Sequence, residues 1–269
     1  MIRNYFEVRI AVKPILAFTI FSLALALSGQ AQVNRRFTGY ENLPEFDHRP
    51  YNFGFSLGIN RMYFALKPVE SFHELNQNFQ PGFGFDHGLN SVVPRADWGF
   101  NIGIIGNLRI NSMLDFRFVP TLVFGSRMVE YNYKLSQDPL DEGGVLVQDL
   151  ETTNIEFPFH FKFKSVRIHS NLRVYLLGGF KYSLDLASNQ YKEAGSDGEI
   201  LYLRTAKNDY MYELGAGFDI YFTWFKLSTE IKGSFGLRNL ARPGESHPVF
   251  YNSIDRLNSR SITISFLFE

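Results

Sequence analysis

Residues 152–164, TTNIEFPFHFKFK, alternate two kinds of side chain with a period of two. One parity is large and apolar, and four of its five members are phenylalanine: Ile155, Phe157, Phe159, Phe161 and Phe163. The other parity is charged or polar apart from one proline: Glu156, Pro158, His160, Lys162 and Lys164. Because successive side chains of a β-strand point to opposite faces, the stretch predicts a strand with one aromatic and one charged face. Such a uniform aromatic face favours contact with lipid over contact with a soluble core.

The same two-residue period recurs along the rest of the chain. It predicts eight strands, at about residues 51–59, 97–110, 114–134, 152–164, 171–186, 210–222, 225–237 and 259–269. Three connections are short, at residues 111–113, 166–170 and 223–224, and they alternate with four long ones, at residues 68–96, 135–151, 187–209 and 238–258. Transmembrane barrels combine an even strand number with short periplasmic turns and longer outer loops. The sequence therefore predicts an all-β fold, an eight-stranded antiparallel up-and-down transmembrane β-barrel.

The composition agrees with a barrel and excludes several other classes of protein. The chain of 269 residues has 28 Phe, no Cys and a formal net charge of zero. After the N-terminal region, no apolar run approaches the roughly 20 residues that a spanning helix needs. The lack of cysteine excludes disulfides and thiolate metal sites, and the lack of a basic cluster argues against nucleic acid as a partner.

The N-terminal region has the pattern of a cleavable secretory signal. Basic residues precede an apolar run at residues 14–27, and small residues follow it, which predicts cleavage between Ala31 and Gln32. The alternative, a retained anchor helix, is disfavoured because the run is short for a spanning helix. The chain thus divides into a signal peptide at 1–31, a periplasmic lead-in with little regular structure at 32–50, and an outer-membrane barrel at 51–269.

The inward parity of the predicted strands carries charges of both signs. These residues are Arg109, Asp115, Arg117, Glu156, Lys162, Arg173, Lys181, Asp185, Glu213, Asp219, Lys226, Glu230 and Lys232. A barrel of about eight strands has an interior just wide enough for side chains to fill. Opposite charges in so narrow a lumen should pair, which predicts a structural network that plugs the barrel. The alternative is a binding cleft, or a path for protons or peptides.

Two tryptophans and two prolines make more local predictions. Trp98 lies at the outer end of the second strand and Trp224 in a tight turn at the opposite end, as expected of aromatic residues at the two membrane interfaces. Pro120 and Pro158 fall inside the third and fourth strands, where each removes a hydrogen-bond donor from the ladder. We predict β-bulges at these prolines.

The sequence shows little catalytic or metal-binding chemistry. The six histidines, at positions 48, 73, 87, 160, 169 and 247, are never within five positions of one another. His73 and Glu74 begin like a zinc-protease signature, but position 77 is glutamine, so the second ligand is missing. His160 and His169 are the candidates for a lipid-modifying enzyme, although an inward histidine among charges is more often a filler. We therefore expect a non-enzymatic protein with no catalytic residue, metal or cofactor.

Several short motifs follow one another along the chain in a recognisable order. They are residues 53–60 (FGFSLGIN), 103–109 (GIIGNLR), 115–120 (DFRFVP), 156–158 (EFP), 175–179 (YLLGG), 212–219 (YELGAGFD) and 253–260 (SIDRLNSR). This ordered set resembles the PorT family of outer-membrane barrels, which serves the type IX secretion system and, in some bacteria, gliding motility. The segment 253–260 is the most distinctive motif, because barrel architecture alone does not require it.

The resemblance implies a component needed to export proteins across the outer membrane, with outer-membrane lipid and other secretion-system proteins as partners. It brings no established active residues. Two other functions stay open at this stage. A small barrel of the OmpX or OmpA kind would bind a ligand, surface or partner through its loops, and a lipid-modifying barrel enzyme is the weaker alternative. All three place the protein in the outer membrane of a Gram-negative cell after cleavage of its signal.

Overall fold

The computed structural model describes residues 40–69, 89–133, 144–168, 170–187, 203–242 and 254–269. A short 3-10 turn, Phe46–His48, precedes the strands, which are β1 (Tyr51–Pro68), β2 (Leu89–Arg109), β3 (Leu114–Phe118), β4 (Thr121–Tyr133), β5 (Gly144–Lys164), β6 (Leu172–Asp185), β7 (Arg204–Thr205), β8 (Asn208–Tyr221), β9 (Lys226–Gly236), β10 (Ala241–Arg242) and β11 (Ile254–Phe268). Within these ranges no helix is long and apolar enough to cross a membrane. The predicted signal peptide, with its cleavage site at Ala31 and Gln32, lies outside the described residues.

The main strands close into a cylinder. Going round it, the order is β1, β2, β3 with β4, β5, β6, β8, β9 and β11, and β1 pairs with both β2 and β11. β3 and β4 are two halves of one barrel strand, because both pair with β2 on one side and β5 on the other. Every pairing is antiparallel, and apart from the closing pair of β1 with β11 each one joins barrel strands that are consecutive along the chain. The predicted eight-stranded up-and-down barrel is confirmed.

The barrel is apolar outside and polar inside. On β5, Phe159 and Phe161 expose 41% and 47% of their surface, whereas His160 and Lys162 between them are 0% and 1% exposed. This pattern is the reverse of that in a soluble protein and identifies the outward face as the one in contact with lipid. Cross-strand aromatic pairs cover that face, as where the rings of Phe118 and Phe159 stack with centroids 4.8 Å apart.

The lipid-facing band has the height of a membrane, but several strands are much longer. On β1, exposed apolar residues alternate from Tyr51 to Ile59, and the next outward residue is Arg61, whose guanidinium lies 5.6 Å from the Trp98 ring centroid. A span of this length matches the 9–11 residues of a transmembrane strand. In the structure, β2 and β5 begin earlier than predicted, at Leu89 and Gly144. Beyond the membrane an outward face need not be apolar, so the alternation on which the prediction relied stops before the strand does.

The bulges predicted at Pro120 and Pro158 are wrong. The barrel strand formed by β3 and β4 is interrupted at residues 119–120. Its register with β2 and with β5 is nevertheless the same on both sides of this gap, so no residue is inserted. The Pro158 carbonyl accepts from the Val119 N–H at 3.4 Å. The reverse ladder bond, from residue 158 to the Val119 carbonyl, cannot form because proline has no N–H. The Thr121 hydroxyl donates to the Val119 carbonyl at 2.6 Å instead. A side-chain donor therefore replaces the missing ladder bond without an inserted residue.

The lipid-facing band gives a direct test of side-chain orientation. Phe159→Arg places a charge near the middle of the band and should lower the free energy of unfolding by about 2–4 kcal/mol. The matched change Thr153→Arg, on the same face of β5 but at the band's outer edge, should cost only about 0–1 kcal/mol. Urea unfolding in lipid vesicles measures both, with the faster gel migration of the unboiled barrel as the assay of folding. Equal stability of the two variants would contradict the assigned orientation.

Candidate functional site

The lumen collects the buried charges and is the candidate site. Its walls differ in chemistry. One wall, from β1, β2 and β11, presents small uncharged groups, including the buried side chains of Ser56, Asn60, Asn101 and Ser265. The facing wall, from β3, β5, β6, β8 and β9, presents nearly all of the buried ion pairs. The even-numbered residues of β5 point into the lumen, with Lys164 at the periplasmic end and lower numbers further towards the outer end.

Lys162 and Asp219 form the central ion pair near the periplasmic end. The Lys162 ammonium lies 2.8 Å from both oxygens of the Asp219 carboxylate and 3.6 Å from the Tyr175 ring centroid. The Tyr175 hydroxyl in turn donates to Glu230 at 2.9 Å. Gly217 leaves room for this ring, since a Cβ there would lie 2.6 Å from the Tyr175 hydroxyl oxygen. Gly217 thus serves packing in the lumen.

One step further out, a histidine and a lysine share one carboxylate. His160 Nε2 lies 2.6 Å from Glu213, and the Lys181 ammonium lies 2.9 Å from Glu213 and 2.9 Å from Glu156. The Ser234 hydroxyl also donates to Glu213. In the described structure the serine and the histidine both contact this carboxylate and not each other, so the cluster lacks the nucleophile–base contact of a catalytic triad.

A third cluster joins β3 to β9 and to the last residue. The Arg117 guanidinium lies 3.1 Å from Glu230 and 3.7 Å from Glu269, and it is 1% exposed. Lys232 pairs with Glu230 at 3.0 Å, and Lys226 pairs with Glu269. An unpaired buried charge costs several kcal/mol, so the mutual pairing is what makes this charged interior tolerable.

Residues 40–50 cover the periplasmic mouth of the lumen. The Asp47 carboxylate accepts from Arg167 at 2.8 Å and from Arg173 at 2.8 and 3.0 Å. Arg167 also donates to the carbonyls of Asn42 and Leu43, at 2.6 and 3.0 Å. The described part of the segment has little regular structure beyond one 3-10 turn, yet these contacts hold it in place as a periplasmic cap.

Asp47 stays ionised because of its arginine neighbours. Burial would raise the pKa of the Asp47 carboxyl, but the Arg173 and Arg167 guanidinium groups hold that pKa below its usual range. A carboxyl whose pKa is lower in the folded than in the unfolded protein stabilises the fold at any pH above its ordinary pKa of about 3.9. This contribution is lost as the pH falls through the lower folded value. The cap is therefore held by charge throughout the neutral range.

Apolar side chains close the outer end of the lumen. Phe64, Tyr131, Leu203, Leu240 and Leu257 are buried in one cluster beyond the lipid-facing band. Leu203 and Leu240 come from the segments beside β7 and β10, which pair with each other. The lumen is thus blocked at three levels, by the periplasmic cap, by ion pairs and by this apolar cluster.

The structure brings together all but two of the charged residues predicted for the lumen. Arg109 donates to the Asn111 carbonyl at 3.4 Å at the periplasmic rim, and Asp185 accepts from the Ala187 N–H at 3.0 Å towards the outer side. Neither has an ion-pair partner among the described residues. The remaining predicted residues each pair with an opposite charge: Asp115, Arg117, Glu156, Lys162, Arg173, Lys181, Glu213, Asp219, Lys226, Glu230 and Lys232.

The prediction missed several members of the network. Lys164, 2.6 Å from Asp115, and Glu269 continue the inward parity of β5 and β11, so alternation alone would have found them. Asp47 and Arg167 lie in irregular segments, where the sequence has no period to indicate that they meet.

The two tryptophans lie at opposite ends of the lipid-facing band. Trp98 is 61% exposed and Trp224 is 88% exposed. In the described parts of the chain, no three His, Asp or Glu side chains come close enough to hold a metal ion. Four of the histidines, at positions 73, 87, 169 and 247, lie outside those parts.

A closed antiparallel barrel with an apolar exterior and a paired, charged interior is a transmembrane β-barrel. The family model described as outer membrane protein beta-barrel domain matches residues 30–242, and the chain belongs to that family. Its location is therefore the outer membrane. No curated protein matches the chain.

Two solved structures from Pseudomonas aeruginosa are similar to the chain at low level. The N-terminal β-barrel domain of OprF is 13% identical, with 79% of this chain and 96% of that chain covered and a TM-score of 0.28. The outer membrane protein OprG is 9% identical, with 86% and 96% covered and a TM-score of 0.38. With superpositions this weak, neither structure contributes to the functional argument.

The central ion pair should be costly to break from one side. Lys162→Met leaves Asp219 buried without its closest cation and should lower the free energy of unfolding by about 3–5 kcal/mol. The double change with Asp219→Leu should recover most of that loss, because both charges are gone. Asp255→Asn, which breaks the exposed pair with Lys67, should cost about 0–1 kcal/mol. Urea unfolding in vesicles measures all three, and a double variant no more stable than Lys162→Met would contradict the pairing.

The periplasmic cap should depend on the charge of Asp47. Asp47→Asn should increase hydrogen exchange at the Asn42 N–H, which donates to the Asn171 side chain, while Glu45→Gln should leave it unchanged. In the wild type the same increase should appear only in acid, as the pH falls from the ordinary carboxyl pKa of about 3.9 through the lower pKa that Asp47 has in the folded cap. Exchange measured by mass spectrometry, corrected for the intrinsic pH dependence, tests this. A cap that opens on raising the pH through neutrality would contradict it.

Proposed function

We propose that this outer-membrane barrel is a non-enzymatic component of the type IX protein secretion machinery, needed for export of proteins across the outer membrane. The observation that carries the proposal is the packing of residues 254–260, the described part of the segment most distinctive of the PorT resemblance. The Asn258 amide donates to the carbonyls of Gly236 and Arg238, at 3.2 and 2.9 Å. Leu257 bonds through its N–H to Asn239 at 3.0 Å, and its carbonyl accepts from Leu240 at 2.8 Å.

These contacts fix residues 237–242 in the outer end of the barrel. Strand pairing and barrel closure do not need them, since β11 is already paired with β1 over this length. A sequence feature that orders the outer end, rather than the membrane part, supports a role for this end in contacts with other proteins. The resemblance to the PorT family supplies the identity of those proteins as members of the secretion machinery.

The blocked lumen supports action through the ends of the barrel rather than transport through it. A passing chain would have to separate several buried ion pairs, and breaking one such pair costs about 3–5 kcal/mol. In the proposed role, the barrel assists export without the exported protein passing through its lumen. Its periplasmic cap and its extended outer strands are the surfaces available for that role.

A second candidate function is that of a small barrel that binds a ligand or surface at its outer end. The observation that favours it is the length of β2, β4 and β5, which continue past the lipid-facing band. Exposed side chains such as Val147 and Asp149 lie on that extension. Membership of the outer-membrane barrel family is equally compatible with both candidates.

Deleting the gene should reduce the proteins that the type IX machinery exports into the culture medium, as measured by mass spectrometry of the medium. Complementation with the wild type should restore them. Asn258→Ala, which loosens residues 237–242, should restore them only in part, because the outer end loses two hydrogen bonds. Asp255→Asn, in the same segment but exposed, should restore them fully. All strains need equal amounts of folded barrel, checked by gel migration before and after boiling.

Normal export in the deletion strain would overturn the secretion role. If the strain instead loses adhesion or ligand binding, and loop replacement has the same effect, the second candidate is correct. An unchanged lipid composition after alanine substitution of His160 and His169 would dispose of a lipid-modifying activity.

A further inference from the structure

Within the described residues, β5 and β2 each have one side without a partner strand beyond the lipid-facing band. β6 pairs with β5 only as far as Asn154, and β1 pairs with β2 only as far as Asp97. Further out, residues 144–152 of β5 and 89–96 of β2 pair only with β4 in the described parts of the chain. An unpaired strand side presents N–H and C=O groups on which another strand can add.

The ladder alternation shows which backbone groups of β5 are free. The Val119 N–H bonds to the Pro158 carbonyl, and the register between β4 and β5 does not change from there outward. Even-numbered residues of β5 therefore direct their N–H and C=O groups to β4, and odd-numbered residues direct theirs away. Thr153 agrees, because its carbonyl accepts from the Leu186 N–H on the side of β6 at 2.8 Å. The free groups belong to the next four odd-numbered residues, Val145, Val147, Asp149 and Glu151.

The free side of β2 is protected, and that of β5 is not. Pro94 of β2 pairs with Val129, whose backbone groups are used by β5, so the Pro94 nitrogen points to the free side. Proline has no N–H to offer there, and proline on an outer edge is one of the ways proteins prevent unwanted strand addition. Residues 144–152, GVLVQDLET, contain neither proline nor lysine. Of the two free sides, only that of β5 keeps all of its donors.

The side chains along this free side define what would bind to it. Val145 and Val147 expose 59% and 54% of their surface, and Asp149 and Glu151 are exposed on the same outward face. We infer that residues 144–152 of β5 dock an extended segment of a partner protein by strand addition, with β-branched apolar residues beside the valines and Lys or Arg beside the acids. The inference does not depend on the secretion role.

A second copy of this chain is a poor occupant. Two copies in one membrane are related by an axis along the membrane normal, which leaves the direction of β5 through the membrane unchanged. Their free sides would meet as parallel strands, with Asp149 and Glu151 of one copy beside the same residues of the other. Like charges on neighbouring strands are destabilising, and the stretch has no cation to offset them.

A synthetic peptide tests the docking site directly. In the sequence KTKTVTV, added antiparallel to residues 145–151, the lysines lie beside Glu151 and Asp149 and the valines beside Val147 and Val145. Fluorescence anisotropy measures its binding to the detergent-solubilised full-length barrel. One control is ETETVTV. The other is KTKTVTV with N-methyl groups on the amides that would face β5, which keeps its charge but cannot pair as a strand.

KTKTVTV should bind at least about ten-fold more tightly than either control peptide. The double variant Asp149→Lys with Glu151→Lys should reverse the preference between KTKTVTV and ETETVTV. Val147→Pro should weaken binding of KTKTVTV by a similar factor, since it removes a free N–H without removing a bond to β4. The matched charge change Asp255→Lys, on another exposed strand, should change nothing. Gel migration before and after boiling shows whether each variant is folded. If Val147→Pro is not folded, the charge variants alone test the inference.

Four results would overturn the inference. Equal binding of the N-methylated peptide would mean attraction of charges alone, and no binding above the controls would remove this class of partner. Protection of the Val145 and Val147 amides from hydrogen exchange in the free protein would mean that the chain covers its own edge. Disulfide-linked dimers of Val147→Cys in native membranes, formed at a site in a chain that has no other cysteine, would identify a second copy as the occupant.

Discussion

The absence of hydrogen-bonding partners in hydrocarbon is the constraint on which the rest of the structure depends. Every backbone donor and acceptor at membrane depth must pair within the protein, and a sheet can do this only by closing on itself. The pairing of β1 with both β2 and β11 provides the closure. The Thr121 hydroxyl that bonds to the Val119 carbonyl, opposite Pro158, shows the same constraint acting on a single bond.

Closure then decides where the charges go. With lipid outside, polar residues can face only a narrow interior, and there they must pair with one another. The pairs connect strands that are not adjacent, as Lys162 on β5 does with Asp219 on β8, and Arg117 on β3 with Glu230 on β9. A shift of register in one strand would leave such charges buried and unpaired. The network therefore favours one register of the barrel, in addition to filling its lumen.

The same strands follow different rules inside and beyond the membrane. Within the lipid-facing band, β5 is aromatic outside and charged inside. Beyond it, Val147 and Asp149 share the outward face, and the apolar cluster around Leu203 and Leu257 fills the interior. Water supplies the hydrogen bonds that hydrocarbon lacks, so the sheet is free to open there. Among the described residues, the outer end consequently has two strand sides without a partner, which the membrane part could not tolerate. Pro94 lies on one of them and has no N–H on which another strand could add.

The sequence by itself determined the barrel, its strand number, the lipid-facing parity and most of the lumen charges, because a two-residue period follows directly from strand geometry and survives any register. Alternation would also have included Lys164 and Glu269. Only the tertiary structure decided which polar residues pair, since partners such as His160 and Glu213 are set by the stagger of strands around the cylinder. It also decided the strand ends beyond the membrane and the cap formed by Asp47 with Arg167 and Arg173. Those contacts join irregular or distant segments, in which no period links one residue to the other.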